Sequence, residues 1–153
     1  DNQAGDGAGM ADDSSYATVG GGYYNTASGD TATVGGGAWN QAITGTHATV
    51  GGGWGNSANV SYATIGGGEG NNASGNRPTV GGGQGNAARG EHPTVGGGWD
   101  NLATGDWSSV GGGLNNSVGG RGATIAGGGY NDGTGRWSSI GGGLVNTVDS
   151  YGH

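Results

Sequence analysis

The sequence predicts an all-β protein, a parallel β-solenoid of about nine 15-residue coils with two short strands per coil. The first observation is a motif, A-T-V-G-G-G-x-x-N-x-A-x-G-x-x, that recurs nine times in 153 residues. The second is its period, because seven of the eight intervals between apolar anchors are 15 residues and one is 16. A short fixed period is typical of solenoids, in which each repeat forms one coil. The anchors are Val19, Val34, Val50, Ile65, Val80, Val95, Val110, Ile125 and Ile140.

The third observation is the glycine pattern within each repeat, counted from the anchor as position 0. Positions +2 and +3 are Gly in all nine repeats, and position +1 is Gly in eight, with Ala126 as the exception. Fifteen residues are too few for a strand, a helix and a return. We therefore expect strands at about −3 to +1 and +6 to +9, with glycine-rich corners between them. Coils would stack about 4.8 Å apart in parallel register.

Position +6 is Asn in every repeat, which predicts a structural ladder. Side chains alternate along a strand, so the anchor, Ala at −2, Asn at +6 and Ala at +8 are expected to point inward. Stacked Asn amides can hydrogen-bond from coil to coil. The ladder residues are Asn25, Asn40, Asn56, Asn71, Asn86, Asn101, Asn116, Asn131 and Asn146.

The chain divides into three segments on this pattern. Residues 16–148 carry the glycine-rich solenoid repeats. Residues 1–15 are acidic and lack an anchor, so we expect an N-terminal cap or an inter-subunit segment there. Residues 149–153 form a C-terminal end segment that stops short of another repeat.

Composition narrows the class of protein. The chain has 44 Gly without a strict every-third pattern, which excludes collagen. Its formal net charge is −7, with four Lys plus Arg in total, so nucleic acid and anionic membranes are poor partners. No run of 18 apolar residues occurs, and membrane insertion is not expected.

One outward column is restricted to small hydroxyl residues, at position −1. Beside it lie the glycines at +1 and +3, so this side of the coil is a strip of hydroxyls and bare backbone that another backbone can approach closely. Because the core is thin, we expect copies of the chain to associate through this Thr/Gly face or through the Val side. The column contains Thr18, Thr33, Thr49, Thr64, Thr79, Thr94, Ser109, Thr124 and Ser139.

The aromatic residues are also ordered, because ten of the eleven fall at positions −3, +4 and +5. These positions flank the glycine corners. The rings are expected to cover the glycine corners, to contact neighbouring chains, or to stack on sugars or matrix ligands. The candidate contact or ligand residues are Tyr23, Trp54, Trp99, Tyr62, Trp107 and Trp137.

No arrangement typical of catalysis is visible. The acidic residues form no pair at fixed spacing, and His47 and His92 lie three coils apart, roughly 14 Å at the stacking distance. The chain has no Cys for a zinc site and no Lys for a phosphate-binding loop. We therefore expect neither an enzyme nor a bound metal or other cofactor.

Two stretches resemble a known family. N-T-A-S-G-D-T-A-T-V-G-G-G at Asn25–Gly37 and N-N-A-S-G-N-R-P-T-V-G-G-G at Asn71–Gly83 resemble the head repeats of trimeric autotransporter adhesins, of the YadA-like or Hep/Hag type. The resemblance implies a parallel β-roll, three chains side by side, and a bacterial surface head that binds host or matrix molecules. The triple glycine departs from that family, which usually has one.

These observations predict a structural or adhesive extracellular fibre or cell-surface adhesin subunit. Its main partner would be itself, as a homotrimer or a head-to-tail filament, with glycans or extracellular matrix as further ligands. Two alternatives remain open: an ice-binding protein that uses the Thr ladder, and a carbohydrate-binding module that uses the Trp and Tyr columns.

Overall fold

The structure, a computed structural model, describes residues 1–4 and 16–149 and confirms the solenoid. Each coil gives one strand to each of two parallel sheets, which hold ten and nine strands in the described part of the chain. Partners lie one coil apart in register, as Thr79 pairs with Thr94 and Val80 with Val95. The odd-numbered strands form the ten-stranded sheet and the even-numbered strands the nine-stranded sheet. In chain order they are β1 (Gln3–Ala4), β2 (Thr18–Val19), β3 (Thr26–Ala27), β4 (Thr33–Val34), β5 (Gln41–Ala42), β6 (Thr49–Val50), β7 (Ser57–Ala58), β8 (Thr64–Ile65), β9 (Asn72–Ala73), β10 (Thr79–Val80), β11 (Ala87–Ala88), β12 (Thr94–Val95), β13 (Leu102–Ala103), β14 (Ser109–Val110), β15 (Ser117–Val118), β16 (Thr124–Ile125), β17 (Asp132–Gly133), β18 (Ser139–Ile140) and β19 (Thr147–Val148).

The strands are shorter than the sequence predicts, at positions −1 to 0 and +7 to +8 only. At the start of the even-numbered strands, the cause is the backbone at position −3. Tyr62 there has φ of 59°, and its N–H donates back to the carbonyl of Thr46 in the preceding coil (2.9 Å). Strand residues donate forward instead, as Thr64 does to the carbonyl of Pro78 (3.0 Å). A residue whose N–H points to the preceding coil interrupts the strand pairing with the next coil. The expected strand from −3 to +1 is therefore shorter than predicted.

Two corners join the sheets at opposite ends of the strands. The first corner covers positions +1 to +6, and the second covers +9 to −2. The first corner carries a further column of single parallel bridges at position +4, such as Trp99 with Leu114. Hydrogen bonds therefore tie successive coils together at the first corner as well as in both sheets.

The core is the narrow space between the two sheets. The anchors of coils 2 to 8 are fully buried, from Val34 to Ile125, and Ile140 is almost so. Alanines from both sheets, such as Ala63 and Ala73, complete the packing. The expectation that the Val side is a surface for self-association is therefore wrong, because the two sheets of a single chain already enclose it.

The first four residues belong to the solenoid. β1 pairs with β3 in parallel, Gln3 opposite Thr26 and Ala4 opposite Ala27. The repeat region thus includes residues 1–4 as well as 16–148. The rest of the expected N-terminal cap or inter-subunit segment, residues 5–15, and residues 150–153 of the end segment lie outside the described residues.

Two adjacent glycines of coil 8 provide a test of the corner. Gly128 has φ of 90°, and a Cβ there would collide with the carbonyl oxygen of Gly143 and the side-chain amide of Asn131. A Cβ on Gly127 would meet no heavy atom within 4 Å. We expect Gly128→Ala to lower the free energy of unfolding by about 2 kcal/mol or more. Gly127→Ala should change it by less than about 0.5 kcal/mol. Denaturant titration followed by circular dichroism measures both; equal losses would contradict this account of the corner.

Candidate functional site

The asparagine column forms a continuous hydrogen-bonded ladder inside the first corner. The side-chain amide of Asn71 donates to the carbonyl of Gly67 in its own coil and to that of Gly83 in the next coil, both at 2.9 Å. Its backbone N–H and side-chain amide both donate to Oδ1 of Asn56 in the preceding coil (3.0 Å). Its own Oδ1 accepts from the backbone N–H of Asn86 (2.9 Å). One side chain therefore links three coils. It is the hydrogen-bond partner of the Gly67 carbonyl, and it adds a second donor to the Gly83 carbonyl, which also accepts from the backbone N–H of Glu69.

The ladder has a member that the sequence reasoning missed. Oδ1 of Asn2 accepts from the backbone N–H of Asn25 (3.0 Å), and its side-chain amide donates to the carbonyl of Gly22 (2.8 Å). Asn2 thus occupies position +6 of an additional coil. The signal was present in the sequence, because D-N-Q-A at 1–4 matches W-N-Q-A at 39–42. Eight of the ladder asparagines are buried, from Asn25 to Asn131, and Asn146 is exposed.

The Thr/Ser column at −1 lies on the outer face of the nine-stranded sheet. Each member sits next to an inward anchor and is exposed or half-exposed, as Thr64 and Thr94 are beside Ile65 and Val95. The rungs pair in register along the sheet, for example Thr64 with Thr79. The column therefore presents hydroxyl and methyl groups to solvent at every coil.

All ten aromatic side chains of the described residues lie on the surface. The least exposed retain 44% of their accessible area, and none lies in the core. The six expected contact residues do not form one strip. Tyr23, Trp54 and Trp99 lie on the first corner, whereas the second corner carries Tyr62, Trp107 and Trp137. The exposed aromatic residues are Tyr16, Tyr23, Tyr24, Trp39, Trp54, Tyr62, Trp99, Trp107, Tyr130 and Trp137.

Many of these rings sit on an unfavourable backbone conformation. Positions −3 and +5 have φ between 52° and 68° wherever a value in the left-handed region is recorded, and six of the residues with such a value are Tyr or Trp. Glycine and asparagine adopt that region most easily, and bulky residues do so at a cost of about 1 kcal/mol or more. Coils with Gly70 at +5 or Gly122 at −3 show that the fold accepts glycine at either position. The fold therefore does not require an aromatic residue at these positions.

Neighbouring coils bring some of these side chains into contact. Tyr24 and Trp39 stack on the first corner, with ring centroids 4.6 Å apart. On the second corner His47 stacks on Tyr62 at 5.1 Å, and the guanidinium of Arg77 lies 5.1 Å from the same ring. Each corner thus carries one stacked pair of rings from neighbouring coils, Tyr24 with Trp39 and His47 with Tyr62.

Charge is divided unequally between the corners. All four arginines of the chain lie on the second corner or at its start, at positions −4, −3 and +9, where the acids Asp30, Glu91 and Asp106 also lie. At positions +4 and +5 of the first corner in coils 1 to 9, the charged residues are Glu69 and Asp100 alone, and both are exposed. The first corner is therefore aromatic and acidic, and the second is aromatic and holds every arginine. The arginines are Arg77, Arg89, Arg121 and Arg136.

Residues 1–4 and 16–149 enclose no pocket, and they bring together no group of three His, Cys, Asp or Glu side chains that could hold a metal ion. His47 and His92 lie on the second corner at the expected three-coil separation. Over the same residues, no helix has the length and hydropathy that crossing a bilayer requires. The candidate site is the surface formed by the exposed side chains of the two corners.

Comparison with known proteins gives no assignment. No protein-family profile matches the chain, and no curated protein matches it.

The contribution of the asparagine ladder to stability can be tested by comparing substitutions at two adjacent asparagines. Asn71→Ala removes the donor to the carbonyls of Gly67 and Gly83 and the acceptor for Asn86, so the free energy of unfolding should fall by about 2–4 kcal/mol. Asn72→Ala is the matched control, because this side chain is half-buried at position +7 and its Oδ1 has no hydrogen-bond partner among the described residues. It should change stability by no more than about 0.5 kcal/mol. Thermal or denaturant unfolding of both variants measures the difference, and equal effects would show that the ladder does not hold the coils together.

Proposed function

We propose that this chain is a structural or adhesive extracellular subunit that self-associates and has no catalytic activity. The observation that carries the proposal is the exposure of all ten described aromatic side chains at the corners of the coils. The coil itself is built from Val, Ile, Ala, Asn and Gly, and gains little from these rings. Exposed apolar rows of this kind are typical of surfaces that meet a partner.

The rod-like architecture supports a mechanical or spacing role. A stack of coils holds its surface groups at a constant axial spacing, about 4.8 Å per coil. Side chains that recur on one corner thus form a row that a repetitive partner can match along its length. A second copy of the same chain has the same period, which makes it the best-matched partner.

The proposed location and assembly follow the resemblance to adhesin head repeats. We place the protein outside the cell or at the cell surface, as a homotrimer or a filament, with glycans or extracellular matrix as additional ligands. The exposed Thr/Ser column and the corners are the surfaces available for these contacts, because the Val side is internal.

If the chain self-associates through the aromatic corners, removing two exposed Trp side chains should weaken that association. Trp54→Ser combined with Trp99→Ser should weaken association at least tenfold, because buried Trp side chains commonly dominate interfaces. The midpoint of thermal unfolding of the dissociated chain should change little, since both rings are more than half exposed. Gln84→Ser, in the same column, is the control and should associate like the wild type. Sedimentation and electron microscopy give the readout. A wild-type chain that stays a folded monomer at micromolar concentration would refute the proposal.

A second candidate, ice binding, is favoured by the outward Thr/Ser column on a sheet whose rungs are in register. Thermal hysteresis of the purified protein decides it. The activity should be lost in Thr79→Tyr and kept in Trp54→Ser if the sheet face rather than the corner contacts ice. Absence of hysteresis in the wild type excludes this candidate.

A further inference from the structure

The second corner carries a ridge over three consecutive coils. His47, Tyr62 and Arg77 occupy position −3 of coils 3, 4 and 5. The imidazole and phenol rings are nearly parallel, with an interplanar angle of 3° and centroids 5.1 Å apart, and the guanidinium lies over the other side of the phenol ring. All three side chains are exposed. They form one stacked, protruding unit.

The first corner carries a notch over the same three coils. Gly55, Gly70 and Gly85 occupy position +5 of coils 3, 4 and 5, with φ between 64° and 68°. A Cβ on Gly55 or Gly70 would meet nothing within 4 Å, so the space above them is open. Above Gly85 lies the carboxylate of Asp100 from the next coil. At the other end, Trp39 closes the notch in coil 2.

We infer that the ridge of one copy of the chain docks into the notch of a second copy, with no axial offset between them. The notch lies in the same three coils as the stacked ridge; beyond the ridge, the −3 column continues with His92 and Trp107 in coils 6 and 7. The ridge and the notch also sit on opposite corners, at the two ends of the same strands, so a chain cannot fill its own notch. The inference rests on the proposed self-association, and it assigns the surfaces that meet.

In each of the three coils, the charge or size of the ridge side chain complements the group that it would meet in the notch. In coil 5, Arg77 of the ridge would face the Asp100 carboxylate that overlies Gly85. In coil 4, the Tyr62 ring would fill the open space above Gly70 beside Glu69. In coil 3, His47 would lie above Gly55 beside the exposed ring of Trp54. An arginine held between an aromatic ring and a carboxylate is a favourable interface arrangement.

The contact is heterologous, because it joins two different surfaces of identical chains. Such contacts generate closed rings when the rotation between copies closes, and open assemblies when it does not. Zero axial offset restricts the result to a ring or a flat ribbon of parallel rods.

The inference can be tested by placing a large side chain in the notch and then removing the side chain of the ridge that faces it. Gly70→Trp fills the notch, and the backbone accepts it because Trp39 and Tyr130 hold the same position at φ of 60° and 54°. Association should weaken at least tenfold in sedimentation equilibrium. Adding Tyr62→Gly, a residue that Gly122 shows the column to tolerate, should restore association toward the wild-type value. Ser117→Trp, on the outer face of the ten-stranded sheet, is the control and should leave association unchanged.

The outcomes separate this inference from the proposed function. A monomeric wild type overturns both. A wild type that associates while Gly70→Trp associates equally well overturns the ridge and notch alone. A monomeric wild type that binds a neutral oligosaccharide, with binding lost in Gly70→Trp, assigns the notch to a glycan and also overturns self-docking.

Cysteine cross-linking measures the register, since the chain has no Cys of its own. Tyr62→Cys combined with Gly70→Cys places one thiol on each corner of coil 4. A short bis-maleimide should then give covalent multimers on a denaturing gel. Tyr62→Cys combined with Asn115→Cys is the staggered control, offset by three coils or about 14 Å, and should stay monomeric on the gel. Multimers from the control but not from the first pair would overturn the unstaggered register.

Discussion

The fold depends on the side-chain amide of one Asn in each coil reaching carbonyls in two coils at once. Asn71 can bond the carbonyls of Gly67 and Gly83 because the backbone at the corner is bare. A Cβ at position +3, as on Gly68, would meet both the carbonyl of the next coil and the Asn amide itself. The asparagine hydrogen bonds and the triple glycine therefore depend on each other, because the amide reaches the carbonyls only where the corner has no Cβ. Together they replace the apolar packing that a coil with one anchor and two alanines cannot supply.

The sequence predicts those parts of the fold that every coil must repeat. A residue type that all nine coils need recurs at the same position of every repeat. For this reason the anchors, the glycines and the asparagines could be identified from the sequence. The left-handed backbone at −3 and +5 was not predicted, although Gly55, Gly70 and Gly85 at +5 and Gly122 at −3 are compatible with it. Trp107, Tyr130 and Arg77 prefer other regions of backbone space, and nothing in their identity signals a positive φ. That missed feature shortened the even-numbered strands at their start.

The candidate site was only partly predictable for a related reason. The aromatic columns were visible, but their separation onto two opposite corners depends on where the strands end. The division of charge was also hidden, because the arginines occupy three different positions in the repeat and form no single column. Asn2 was missed since residues 5–15 separate it from the first anchor, although its local sequence matches a later coil.

A stack of nearly identical coils has no intrinsic axial register against a second stack. Sliding one rod by one coil past another leaves the backbone, the Thr column and the glycines almost unchanged, as in any strand pairing that lacks a distinguishing pattern. Only irregular side chains can select one alignment. The corners are where this chain is irregular. Gly55, Gly70 and Gly85 on the first corner lie in the same coils as the stacked side chains of His47, Tyr62 and Arg77 on the second. The columns therefore determine the fold. In the self-association that we propose, the departures from repetition at the corners select how two folded copies align.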